Sequence, residues 1–180
     1  EWIELYNNGT EDIDLEGAKL QAGGAGFADI YVFPRYILRA GRIVLIGEQN
    51  ITQAVFTTPL VMQNGGDATD GVRFISADGL YTDTVLYDEP NQNNLTDDLG
   101  NIGTTFAPDV AAGSSLARKT DGLDTNNCEA DFREEANPTP GLSNYTPPDY
   151  VLSDVVIMFE DYAASALECT IHNNSWAYSD

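Results

Sequence analysis

The strongest constraint on this chain is its punctuation. Clusters of Gly, Asn, Asp and Pro recur at roughly ten-residue intervals, and short runs of β-branched, aromatic and alternating apolar residues lie between them. No window of a dozen residues keeps apolar side chains at i, i+3, i+4 and i+7 without a Gly or Pro intervening, so helices are not expected. Trp2–Tyr6 predicts a strand with Ile3 and Leu5 on one face, ended by a turn at Asn7-Asn8-Gly9. Further strands are predicted within Ile13–Leu20 and over Ile30–Phe33, the latter stopped by Pro34. Ile43–Ile46 is a continuous apolar run suited to a central strand buried on both faces. Val55–Leu60, with Pro59, reads as an edge. Val72–Ala77 and Leu80–Tyr87 flank Asp78-Gly79 and predict a hairpin, with Asp83, Val85 and Tyr87 on one face. Many short strands with turns between them specify an all-β sandwich.

Length and composition agree with one such body and an extension. The 180 residues are 42% hydrophobic, enough for a core and too apolar for a disordered acidic tail. The net charge of −21 repels phosphate backbones and anionic lipid surfaces, so nucleic acid is not an expected partner. No run of about 18 apolar residues is present, so no membrane-inserted helix is expected. Divalent cations, basic proteins and copies of the chain itself are the partners that remain.

Residues 88–113 hold no strand pattern but five acids and no Lys or Arg, and a loop of that length is usually functional or disordered. Ser115–Lys119 reads as a last strand. The stretch 114–144 is otherwise too irregular for a helix or a sheet core, and Asn137-Pro138-Thr139-Pro140-Gly141 closes the body. Residues 145–150, with Pro147-Pro148, read as a stiff linker, an expectation that falls outside the residues described below. Beyond it, 151–180 predicts a strand over Val151–Phe159, a small-residue break at Ala163–Ala166, a second strand at Glu168–His172 and a turn at Asn173-Asn174-Ser175.

Glu1-Trp2-Ile3-Glu4-Leu5-Tyr6-Asn7, the step Asp14-Leu15-Glu16-Gly17, Gly65-Gly66-Asp67 followed by the hairpin, Ala130-Asp131-Phe132 and Pro138-Thr139-Pro140-Gly141 occur here in that order. As an ordered set they resemble the lamin-tail domain of bacteria and archaea, over residues 1–144. The resemblance implies an immunoglobulin-like β-sandwich, a non-catalytic role and a setting among secreted proteins. That family opens with a further strand ahead of the Glu-Trp pair, which this chain does not contain. The chain begins inside a strand pattern and is expected to be a piece of a longer polypeptide. A sandwich short of one strand leaves an open edge and a strip of core. Residues upstream, the start of a second β domain at 151–180, or an assembly strand formed by Val155, Val156, Ile157, Met158 and Phe159 are the three ways of accounting for it.

Candidate chemistry is sparse. His172 is the one histidine and has neither an orienting acid nor a nucleophile marked beside it. No phosphate-binding Gly motif and no zinc spacing occurs, and no catalytic residue is assigned. Glu4, Asp12, Asp14 and Glu16 are expected to face solvent rather than to pair for glycosidic chemistry. Arg35, Arg39 and Arg42 form a small basic cluster, read as solvated charges. Asp121, Asp124, Asn126, Glu129 and Asp131 could ligate Ca2+, the one cofactor considered, because hard cations take several oxygens from acidic loops. The spacing fails the EF-hand pattern, and the competing reading is a turn whose carboxylates cap backbone amides. Cys128 and Cys169 could form a disulfide or remain two buried thiols. Five Asn-x-Ser/Thr sites, at Asn8, Asn50, Asn94, Asn144 and Asn173, favour an extracellular or cell-surface address. The function expected is a structural or adhesive module of a longer surface or fibre-forming protein. An accessory domain of a secreted nuclease or phosphatase, and a filament subunit donating Val155–Phe159, are the alternatives.

Overall fold

The computed structural model describes residues 1–63 and 68–144, and beyond them three strands as backbone. Two compact units are present, Glu1–Tyr145 and Thr146–Asp180. The first holds strands β1 (Trp2–Tyr6), β2 (Ile13–Asp14), β3 (Lys19–Gly23), β4 (Phe27–Val32), β5 (Ile37–Leu38), β6 (Ile43–Gly47), β7 (Phe56–Thr57), β8 (Asp70–Ile75), β9 (Thr82–Tyr87) and β10 (Ser115–Arg118), a single helical turn α1 (Cys128–Asp131), and β11 (Phe132–Glu135). It is an all-β sandwich. One layer has the order β1-β6-β7 and the other β4-β3-β8-β9, with the short pairs β2–β5 and β10–β11 beside them.

The hydrophobic pattern explains the layers. In β6, Val44, Leu45 and Ile46 are all buried, as a central strand between antiparallel β1 and parallel β7 requires. Leu15, Leu20, Phe33, Leu38, Val44, Ile46 and Leu60 form the main core, with Ile3 and Leu5 packed against it from β1. Phe33 sits edge-on to Tyr31 and Phe56, with ring centroids 5.0 and 5.6 Å away. Each fully buried side chain of the size of Ile46 contributes about 1.5–3 kcal/mol. A second cluster of Leu86, Leu95, Ala107, Cys128 and Phe132 closes the outer edge of β9. There the Leu86 carbonyl accepts from the Ala107 N–H at 2.7 Å, and the Leu86 N–H lies 3.4 Å from the Cys128 thiol.

Three local expectations change. The strand expected within Ile13–Leu20 is two, because Gly17 takes φ 80° and turns the chain between them. The turn expected at Asn7-Asn8-Gly9 is anchored from inside the fold by Asn7. Its side chain is buried and donates to the Glu11 and Leu38 carbonyls at 2.9 Å each, while its oxygen accepts the Gly9 N–H. The hairpin loop spans Ser76–Tyr81, with Gly79 at φ 73° and the Asp78 carboxylate accepting from the Leu80 N–H and the Ser76 hydroxyl. The stretch 114–144 is also more regular than its composition suggests: β10 pairs in antiparallel register with β11, and α1 lies between them.

Among the described residues β1 pairs with β6 alone and is the edge of its sheet. Beside it runs a groove of about 880 Å³, lined by β1, by Val72 and Phe74 of β8, by Asp83, Val85 and Tyr87 of β9, and by Leu116 and Phe132. Val72 and Phe74 are only half-buried, although β8 is a central strand, and so is Val85 on the neighbouring β9. The closing segment offers backbone groups to side chains of β1 and of the turn that follows it. The Gly141 N–H donates to the Glu4 carboxylate, and the Asn8 amide donates to the Gly122 carbonyl at 2.7 Å.

In the second unit, β12 (Val156–Met158), β13 (Glu168–His172) and β14 (Ser175–Ser179) form an antiparallel sheet in that order. Val156, Ile157 and Met158 of the expected assembly strand thus pair with Thr170, Cys169 and Glu168; Val155 and Phe159 lie outside the described residues.

Candidate functional site

Three segments that are distant in sequence meet at the start of β9. Asp83 comes from that strand, Asp98 from the loop between Leu95 and Gly103, and Asp124 from the loop between β10 and α1. A carboxylate oxygen of each lies within 4.8 Å of the other two.

Each acid is placed by local structure. Asp83 sits in the β8–β9 ladder opposite Phe74. The Asp98 loop is held by Arg73, whose guanidinium stacks on Phe27 at 3.7 Å. Arg73 donates to the Thr96 carbonyl at 2.6 Å and hydroxyl at 2.8 Å, and through Nε to the Thr84 hydroxyl at 2.9 Å. Asp97 shapes the tip of the loop by accepting the Leu99 and Asn101 N–H groups. Asp124 accepts the Asn126 N–H at 3.0 Å, an Asx turn that carries Asn126 at φ 56°.

Arg118 from β10 is the counter-charge. It gives both oxygens of Asp83 a hydrogen bond, at 2.8 and 2.9 Å, and lies 3.6 Å from Asp124 and 3.7 Å from Asp131. Its plane covers the Phe132 ring at 4.7 Å. One guanidinium therefore serves three carboxylates, and Asp98 lies beside two of them. Burial, with Asp83 and Asp124 adding to it, pushes the Asp98 carboxyl up to about 6, against hydrogen bonding from Thr84. Among the described residues its Oδ1 is a buried oxygen with no hydrogen-bond partner. Asp83 is also raised, by desolvation first and by Asp124 and Asp131 further, with Arg118 opposing. Behind Asp98 is a cavity of about 60 Å³ lined by Thr84, Asp97, Thr105, Asn126 and Cys128 among others. Room for an ion or a couple of waters, with hydroxyl, amide and carboxylate oxygens around it, suits a hard cation.

The five loop residues expected to bind Ca2+ do not come together as a set. Asp131 is buried and bound to its own loop: burial works against its charge, but the Thr125 N–H (2.8 Å) and hydroxyl (2.7 Å), with Arg118 nearby, hold its carboxyl below the usual range. Asp121 accepts from the Ser143 hydroxyl and the Asn144 N–H. Glu129 lies exposed in the first turn of α1. Asp124 faces Asp83 and Asp98, and Asn126 lines the adjoining cavity. Asp83 and Asp98 were not assigned from sequence. Their acidic character was legible, but nothing local places residues 83, 98 and 124 side by side.

Other expected positions are distributed over the surface. Asn8, Asn50 and Asn94 are exposed, Asn144 is half-buried, and Asn173 lies outside the described residues. Cys128 carries a free, buried thiol pushed up by burial, and pairing with Cys169 involves a side chain outside the described residues. Arg35, Arg39 and Arg42 are exposed, Arg35 lying 3.5 Å from Asp14. Asp12 and Asp14 accept backbone N–H groups of Ala40 and of Glu16 and Tyr36. The His172 side chain is outside the described residues.

No curated protein and no solved structure gives a match. The family described as Lamin Tail Domain matches residues 1–101, more than half of the chain and most of the sandwich just described. Its matched span runs from β1 through the Asp98 loop and stops short of β10 and β11, whereas the resemblance was expected to extend to residue 144. The chain belongs to the lamin tail domain family, a family of non-catalytic immunoglobulin-like modules.

Proposed function

We propose that the chain is a non-catalytic, extracellular structural or adhesive module of a longer cell-surface or fibre-forming protein, and that Ca2+ stabilises it. Membership of the lamin tail domain family carries the first part of this reading. The acidic surface and the three exposed sequon asparagines support the address. The convergence of Asp83, Asp98 and Asp124 beside an orphaned carboxylate oxygen supports the cation, which would replace Arg118 as the main counter-charge of the group.

The address is tested on intact producing cells, by protease shaving and by antibody labelling without permeabilisation. Release of peptides from residues 1–144 supports the reading; labelling only after lysis overturns it. Purified chain assayed against phosphomonoester, phosphodiester and glycoside substrates should show no turnover above buffer. Turnover that co-purifies with the chain would move the assignment to a hydrolase.

A further inference from the structure

The Asn-x-Ser/Thr sites share a motif but not a setting. A sugar joins the side-chain nitrogen of such an Asn, and the enzymes that attach it read the hydroxyl two residues on. Both groups must therefore stand free on one exposed segment. At Asn8 the nitrogen is engaged. It donates to the Gly122 carbonyl at 2.7 Å, and Gly122 lies so close that an added Cβ would fall 2.4 Å from the Asn8 side chain. At Asn94 the hydroxyl is withheld. Thr96 accepts from Arg73 at 2.8 Å and the intervening Leu95 is buried, so presenting this hydroxyl would release the Asp98 loop. Asn144 is half-buried, its N–H held by Asp121 at 3.1 Å and its carbonyl by Arg133 at 3.3 Å. Asn50 differs on each count. It lies in the connection between β6 and β7, where the Ile51 N–H donates to the Glu48 carbonyl at 2.9 Å and the Ala54 N–H to the Ile51 carbonyl at 3.1 Å. Ile51 packs against Gly47, where an added Cβ would fall 2.8 Å from its own, and Asn50 and Thr52 are exposed on either side of it. Among the described residues the Asn50 amide has no hydrogen-bond partner, and the Thr52 hydroxyl reaches only the neighbouring Gln53 side chain, at 3.1 Å.

We propose that Asn50 is the position of this module that carries a glycan, and that the fold keeps Asn8, Asn94 and Asn144 bare. In the transfer, the Asn50 amide nitrogen bonds to the anomeric carbon of a sugar carried on a lipid-linked pyrophosphate. The bond from that carbon to the phosphate oxygen breaks, the pyrophosphate leaves with the electron pair, and the amide gives up one proton. The inference deepens the module reading and rests on its surface address, because an exported chain is the kind that meets such a donor. The choice among the sites is made by tertiary contacts: Gly122 is 114 residues from Asn8, and Arg73 is 23 residues from Thr96. The Asn50 segment is held by its own short turns, so a sugar added there displaces no contact between distant segments.

The test is peptide mapping by mass spectrometry of the chain isolated from producing cells. Trypsin separates the sites: Asn8 falls in the peptide 1–19, Asn50 in 43–73, Asn94 in 74–118, and Asn144 with Asn173 in 134–180. Peptide 43–73 should carry the added mass of one or more sugar residues, lost stepwise on fragmentation. Peptides 1–19 and 74–118 should have their unmodified masses, and fragmentation of 134–180 should show Asn144 bare. Asn50→Gln and Thr52→Ala should each remove the added mass, and Thr52→Ser should keep it. These positions are exposed, so all three variants should melt like the parent chain stripped of sugar. An unmodified peptide 43–73, an added mass that survives Thr52→Ala, or sugar on Asn8, Asn94 or Asn144 would each overturn the proposal. A bare peptide 43–73 from chain that protease shaving releases leaves the surface address standing and removes this inference alone, since the address falls only where labelling requires lysis.

Discussion

At the scale of single residues, Asp98 is the group most at odds with its surroundings. Its folded-state pKa of about 6 lies above the usual 3.8, so between those values the native state holds a proton that the unfolded chain has lost. The sign follows: this carboxyl contributes most to stability at low pH, and its contribution is lost as pH rises through 6. Asp83, Glu4 and Asp88, also raised chiefly by burial, act in the same direction. In chelator the melting temperature is therefore expected to fall from pH 5.5 to 7.5. Asp98→Asn should raise it at pH 7.5 by about 2–4 °C, corresponding to about 1 kcal/mol after discounting for the open side of the site, and should flatten the slope. Circular-dichroism melts of both proteins across that range check it; parallel curves would mean that Asp98 is not the group responsible. Gly122 offers a second case. At φ 69°, with an added Cβ falling 2.4 Å from the Asn8 side chain, Gly122→Ala is expected to cost about 1–2 kcal/mol in urea unfolding.

At the scale of elements, the parts that could be read locally are those whose cause is local. β1, β6 and the β8–β9 hairpin follow from alternation, an apolar run and an Asp-Gly loop, and each lies close to its expected span. β11 and α1 were not legible, because Phe132–Glu135 alternates too weakly to signal a strand and owes its place to pairing with β10. Asn127 caps the one turn of α1, its side chain accepting the Ala130 N–H at 3.0 Å. The site was readable only in part for the same reason: Asp124 was found in its acidic loop, whereas Asp83 and Asp98 reach it through contacts between distant segments. The two kinds of cause predict different costs. Asn127→Ala should lose about 1 kcal/mol, the usual loss of a helix cap. Arg118→Met should lose about 3 kcal/mol or more, because it strips buried Asp131 and the Asp83–Asp124 pair of their shared cation. Urea denaturation of the two variants gives the ranking, and a milder loss for Arg118→Met would show that the three acids are adequately served by solvent.

At the scale of the whole molecule, a charge of −21 makes any cation stabilising to some degree, so calcium binding has to be separated from screening. Screening depends on ionic strength and treats every carboxylate alike. A site depends on Asp83, Asp98 and Asp124 together. Ca2+ at about ten times its dissociation constant stabilises by about 1.4 kcal/mol, a few degrees in a domain of this size, beyond the effect of NaCl at matched ionic strength. Mg2+ should do less, because it is more reluctant to give up water for a flexible carboxylate site. Asp98→Asn should remove the calcium excess and leave the NaCl response unchanged, since it deletes one ligand charge from a large total. Calcium and sodium giving the same melting temperature at equal ionic strength would place the stabilisation in the general field of the acidic surface. An excess that survives Asp98→Asn would place the ion elsewhere in the chain.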